Sequence, residues 1–238
     1  MTSKETVTPD RMNAFSDGVF AVIITILVLE LRPPKEASFG ALLELWPTAV
    51  SYAISYLFIA IVWVNHHHLL RFPDVATHSL IWGNFAHLFA VSLMPFATAW
   101  IASTRLGAVP VAFYAGDFFL VNVTYLLLCL EAVDRSAAHK VEPRARSMMR
   151  MRSLVTLAVF AAAGVVALRY PIGCIAMICL CLIVYLSPGH RALHVNASHL
   201  SKLKRIGFHG RVENGSDIRT RSRSLGGWHK LAQGDRRP

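Results

Sequence analysis

The stretch RMNAFSDGVFAVIITILVLE, residues 11–30, decides the fold. From Gly18 to Leu29 it runs twelve residues without a charge, flanked by Asp17 and Glu30. At 1.5 Å per residue that run covers about 18 Å, well short of the ~30 Å hydrocarbon core of a bilayer. Two readings compete. A secretory leader needs a small-residue cleavage site after its apolar core, and none follows here; acids also flank the run on both sides. The favoured reading is a helix from Arg11 to Leu31 whose ends are shielded by protein or water. A helix with so little lipid-compatible length belongs at the centre of a bundle, where it can line a pore.

The faces of that helix differ. With Val22 at zero on a wheel, Phe15, Gly18, Ile26 and Leu29 fall within about 40°, and Thr25 lies near the edge of the stripe. Asp17 points about 140° away and Ser16 about 120° away on the opposite flank. The stripe by itself fits ordinary helix packing. The polar corner asks for more, because an acid inside a membrane segment is costly and needs partners.

Outward from this helix, five further apolar runs occupy roughly residues 45–70, 79–103, 108–133, 153–168 and 171–187. Each lies near or above the ~18-residue length that spans a bilayer, the last two slightly below it. Turn chemistry at Arg71 to Asp74, Arg105 to Pro110 and Arg169 to Pro171 separates them. The connector from Asp134 to Arg152 is too polar for lipid. The expected architecture is therefore an all-α membrane protein with six transmembrane helices. Composition agrees: 54% of residues are hydrophobic and 16% charged, against about a quarter charged in soluble domains.

Charge placement gives orientation. If the chain crosses six times, twenty Lys and Arg fall on the side of the N-terminus, the 71–78 loop, the 134–152 connector and the tail. The other side receives four: Arg32, Lys35, Arg105 and Arg169. Both termini are then expected to be cytoplasmic. The expected organisation is a cytoplasmic N-terminus over 1–10, a six-helix domain over 11–188, and a basic, disordered tail over 189–238. The tail carries eleven Lys or Arg against three acids. Beside a membrane bundle this reads as a topology signal with affinity for anionic lipid, and no folded motif supports nucleic acid as a partner.

Depth nominates partners for the polar corner. Asp17 lies six residues inside Arg11, about 9 Å along the helix. The second helix returns to the same leaflet with Trp63, Asn65, His66, His67 and His68 just before Arg71. The third starts there and delivers Asn84 and His87. A hydrogen-bonded cluster at this level would hold the first helix against its neighbours. Three adjacent histidines point in different directions on a helix, so no metal site is expected. The four cysteines sit in apolar runs without zinc-ligand spacing. Nothing resembles a nucleophile motif or a cofactor site, which argues against an enzyme. Asn122-Val-Thr and Asn196-Ala-Ser match a glycosylation pattern, but one lies in a helix and the other on the cytoplasmic side.

Arg11, Phe15, Ser16 and Asp17 form an Arg-x-x-x-Phe-Ser-Asp element that resembles the signature of the transmembrane protein 175 family, which comprises endosomal and lysosomal potassium channels and their bacterial relatives. Gly18 to Glu30, Trp63-Val-Asn65-His66-His67, Asn84 and Met94-Pro95-Phe96-Ala97-Thr98 are similar to the bacterial branch. The resemblance covers about residues 11–104. It implies a homotetramer of six-helix chains in which the first helix lines a central pore permeable to potassium ions, without a cofactor. It also implies that Val22, Ile26 and Leu29 form apolar rings, with Thr25 as a hydroxyl ring. Ser16 and Asp17 would bond to Trp63, His67 and Asn84. The absence of a Thr-Val-Gly-Tyr-Gly filter agrees with an apolar constriction. Val22 departs from the Ile or Leu usual in the family. A chain with one set of helices resembles bacterial members, so a bacterial plasma membrane is expected. The alternative is a proton-coupled secondary transporter using Asp17, His87 and Asp117, but repeated broken helices, the mark of such carriers, are not expected from the sequence.

Overall fold

The computed structural model describes residues 8–135 and 141–186. The chain separates into a unit ending at Val184 and a second beginning at Tyr185. All but two residues of that second unit, including the expected tail at 189–238, lie outside the described residues, as do residues 1–7.

Helix α1 spans Pro9–Leu29. Its start follows from chemistry: the Thr8 hydroxyl accepts from the Arg11 N–H, Pro9 occupies the first turn and Asp10 adds an acid there;. It begins two residues before the expected start and ends two before the expected end. A short α2, Phe39–Leu43, leads into α3, Trp46–Leu69. The third span is broken into α4, His78–Ser92, and α5, Met94–Ser103. The expected apolar run over 79–103 is one span long and apolar enough to cross a membrane, His78–Ser103, with a break in its helix at Leu93. Pro95 cannot donate to the Val91 carbonyl and crowds it, and the Leu93 N–H turns back to Ala90 and Val91 instead;. Among the described residues this is one break, not the repeated pattern of a carrier.

After α5 the chain turns through Arg105 and Leu106, both with positive φ (50° and 65°). Burial of the Leu106 side chain and its N–H bond to Ile101 hold this unfavourable geometry;. Helix α6, Ala108–Cys129, continues into a π-helical turn, Leu130–Arg135. Helix α7 spans Pro143–Ala167 and α8 spans Pro171–Leu186. Residues 143–152, within the expected polar connector, form the first turns of α7, and two of their arginines are paired. Asp134 meets Arg146 at 3.5 Å and Arg150 at 2.5 Å. Among the described residues, five spans are long and apolar enough to cross a bilayer, and α8, at 16 residues, is shorter. The protein is an integral membrane protein.

In lipid, tail solvent is as apolar as the core, so packing and internal hydrogen bonds must hold the helices together. Both are present. Phe58 of α3 stacks on Phe118 of α6 at 3.8 Å, and Phe160 of α7 meets Phe118 edge-on at 5.2 Å. A hydroxyl chain runs beside this wedge. Tyr114 lies 2.6 Å from Ser55, Ser55 lies 2.7 Å from Thr98, and Thr98 donates to the Met94 carbonyl at 2.6 Å. With Thr98 so committed, the hydrogens run Tyr114 to Ser55 to Thr98, and each buried hydroxyl is satisfied.

Candidate functional site

The two faces of α1 do different work. Met12, Ser16, Phe20, Ile23 and Leu27 are buried against α3, α4 and α5. The opposite face carries Phe15, Gly18, Val22, Thr25, Ile26 and Leu29, all exposed in the single chain; Leu29 is 77% exposed and Val22 55%. Successive turns place Val22, Ile26 and Leu29 about 4.5–6 Å apart along the axis. The stripe borders an open groove of ≈ 820 Å³ between α1 and the α4–α5 break, lined also by Ser92, Pro95 and Phe96. The Thr25 hydroxyl donates to the Val22 carbonyl at 2.7 Å. Its hydrogen is thereby spent on its own helix, and the oxygen turns acceptor lone pairs outward.

The polar corner divides into two branches. The buried branch joins Ser16, Asn84 and His66, none of them exposed to solvent. Ser16 Oγ donates to the Met12 carbonyl at 2.9 Å and accepts from Asn84 Nδ2 at 3.0 Å. Asn84 Oδ1 lies 2.7 Å from His66 Nε2, which must therefore carry the hydrogen;. The second branch is half-exposed. Trp63 Nε1 donates to Asp17 Oδ1 at 2.8 Å, and His67 Nδ1 lies 3.6 Å from Asp17 Oδ2. Ser16 and Asp17, neighbours in sequence, thus anchor α1 in two directions.

Two residues in this branch were missed from the sequence. Arg71 reaches His67 Nε2 at 2.7 Å, and Asn13 lies 3.1 Å from His67 Nδ1. Arginine only donates, so His67 Nε2 accepts and Nδ1 carries the hydrogen. The Asn13 oxygen, buried and otherwise unpartnered, then belongs on the His67 side to receive it. The signal was available: Asn13 and Asp17, like His67 and Arg71, are i, i+4 pairs on one helix face. Two other expected members, Arg11 and Phe15, sit outside both branches. Arg11 is exposed, and among the described residues its side chain has no hydrogen-bond or ion-pair partner; its backbone N–H serves the α1 cap. Phe15 packs edge-on against Phe85 at 5.6 Å. Asn65 is half-buried on α3, one residue before His66.

A ring ladder accompanies the buried branch. Phe20 of α1 lies 5.3 Å from His66 of α3, His66 lies 5.5 Å from His87 of α4, and His87 lies 5.8 Å from Tyr125 of α6. Four helices each contribute one ring.

Residues 11–95 match the family model described as endosomal/lysosomal potassium channel TMEM175. A protein of Chryseobacterium sp. named as a potassium channel is 40% identical over 122 residues, covering 51% of this chain and 64% of that protein, so the match spans less than two thirds of its length. A protein of Chamaesiphon minutus, also named as a potassium channel, is 34% identical over 143 residues, 56% of this chain and 70% of that protein. The chain belongs to the transmembrane protein 175 family. The crystal structure of a lysosomal potassium-selective channel TMEM175 homolog from Chamaesiphon minutus superposes with a TM-score of 0.67 at 26% identity, covering 74% of this chain and 95% of that one. The family match ends just past the α4–α5 break. It therefore includes α1 and both helices that carry its polar anchor.

Proposed function

We propose that four copies of this chain form a potassium-permeable channel in a bacterial plasma membrane, with α1 of each copy facing a central axis and both termini cytoplasmic. The observation that carries this reading is the division of α1. One face is anchored by packing and two hydrogen-bonded branches, while the face bearing Val22, Ile26 and Leu29 is left exposed among the described residues. An apolar stripe without charge is a poor wall for a water-filled carrier site but suits a dewetting constriction. Four copies would place Val22, Ile26 and Leu29 in successive apolar rings, and Thr25 would offer a ring of oxygen lone pairs to a cation shedding water. The names of the bacterial relatives support potassium as the ion.

The test is single-channel recording of purified protein in planar bilayers, with potassium opposing sodium and then a proton gradient. Discrete current steps with a reversal potential favouring potassium are expected. Coupled uptake without current steps would overturn the reading in favour of a carrier. Cysteines at Val22 or Leu29 should also cross-link between subunits, and labelling of these positions solely by lipid-borne reagents would place the stripe on the outside of the assembly.

A further inference from the structure

Helix α1 exposes a wider arc than a central axis can use. With Val22 at zero on the wheel, its exposed residues run from Val28, at about −120°, through Ala21 and Leu29 to Ile26, at about +40°;. In a ring of four, the two ends of that arc turn towards neighbouring copies.

The two ends are unlike. At one, the row Gly18, Val22, Ile26 and Glu30 walls the open groove of ≈ 820 Å³, with Pro95 and Phe96 on its far side. The wall is lowest at Gly18, where an added Cβ would meet nothing within 4 Å. Glycine weakens a helix relative to alanine, and no described residue fills the space it leaves;. Small residues let a second membrane helix come close. At the other end, Ala21 and Val28 lie on one line of the helix, exposed and outside the groove. Unlike flanks on one helix make a head-to-tail contact, and such a contact closes into a ring under fourfold rotation.

Depth and charge name the occupant. The Ser16–Asn84 hydrogen bond sets α1 and α4 level, and both helices leave the cytoplasmic side. Equal counts onward from that bond reach Val28 on α1 and Phe96 on α5, both exposed. Rotation about an axis normal to the membrane keeps copies level, so Val28 of one copy stands at the height of Phe96 in the next. The outer end of the groove carries a carboxylate, Glu30, and Arg32 follows two residues on. Both are exposed, and neither has an ion-pair partner among the described residues; the ion pair on this side joins Arg105 to Glu44.

We propose that the groove beside α1 receives the α1 of the adjacent copy, with Val28 of one against Phe96 of the other, Ala21 beside Gly18, and Glu30 paired to Arg32. This rests on the channel reading, because it needs α1 to stand around a central axis. The contact gives each pore helix a second support. It also seals the wall, since an empty groove would leave Val22 and Ile26 open to lipid.

The test is oxidative cross-linking of the full-length chain in membranes, against the background of its four native cysteines. Val28→Cys and Phe96→Cys combined in one chain should link copies into a ladder ending at the tetramer. Val28 turns away from the groove of its own chain, so the link must come from another copy. Either substitution alone should give no ladder, because like flanks do not meet; a ladder from one alone would overturn the head-to-tail contact. Leu29→Cys, on the axial face, is the control. Linking at Leu29 without linking of the Val28–Phe96 pair would leave the channel reading standing and overturn the docking. Failure of both would overturn the two together. Labelling of Phe96→Cys by a lipid-borne thiol reagent in the intact assembly would put lipid in the groove and overturn the proposal. A charge swap gives a second readout. Glu30→Arg should lower the assembled fraction on size exclusion, and adding Arg32→Glu should restore it. No loss, or a loss that is not restored, would overturn the pairing and the seating built on it.

Discussion

Asn84→Ala should damage this protein more than Asp17→Ala, although the aspartate is the charged residue. Asn84 is fully buried and serves two partners, Ser16 and His66. Its removal leaves the His66 Nε2–H buried without an acceptor and strips Ser16 of a donor. Hydrogen bonds between membrane helices average ~0.6 kcal/mol, but a buried donor left unsatisfied costs about 1–3 kcal/mol. With two partners affected, the expected loss is about 2–4 kcal/mol. Asp17 is different. Its side chain is 36% exposed and its partner Trp63 39% exposed. The freed indole N–H can turn to water, so Asp17→Ala should cost about 0.5–1.5 kcal/mol, one net hydrogen bond. The assay is the melting midpoint of detergent-purified protein together with the assembled fraction on size exclusion. Asn84→Ala should lower both clearly more than Asp17→Ala. An equal or larger loss from Asp17→Ala would refute the argument and show that another surface covers the carboxylate in the assembly.

Three further outcomes are expected. Thr25→Val should lower the preference for potassium over sodium in bi-ionic recordings, because it removes the outward lone pairs; unchanged selectivity would take Thr25 off the permeation path. Val22→Leu should reduce single-channel conductance and Val22→Asn should raise it by wetting the ring. Unchanged conductance in both would move the constriction to Ile26 or Leu29. Asp117 is 4% exposed and both its carboxyl oxygens lack a partner among the described residues. Asp117→Leu should therefore stabilise by about 1–3 kcal/mol in thermal melts; a lower midpoint would mean that the carboxyl has a partner in the assembly.

The spans were readable because a bilayer demands long uncharged runs and the turns between them carry Pro, Arg and Asp. The meeting of Ser16, Asn84 and His66 was readable too, since counting inward from Arg11 and Arg71 puts them at one depth. Their division from Asp17, Trp63 and His67 was not. It depends on how α3 is rotated against α1: Trp63 and His67 are i, i+4 on one face, while His66 lies about 100° round. A wheel describes one helix, not the angle between two. His87 with Thr124 was hidden for the same reason. The break at Leu93 had a visible cause in Pro95, but membrane helices often absorb a proline as a mild kink, so the sequence did not distinguish the two. The helical start of α7 was hidden by its arginines, which look like loop until Asp134 is brought beside them.

The interruption at Leu93 separates two duties within one span. Asn84 and His87 lie on α4, below the joint, where they tie α1 into the bundle. Pro95 and Phe96 lie on α5, above it, beside Val22 and Ile26 along the groove. The Pro95 nitrogen sends no α-helical hydrogen bond across the joint, and α5 is held by α3 and α6 instead: Met94, Ala97 and Ile101 are fully buried, and Thr98 lies 2.7 Å from Ser55;. The joint lets the two halves of one span be set by separate anchors.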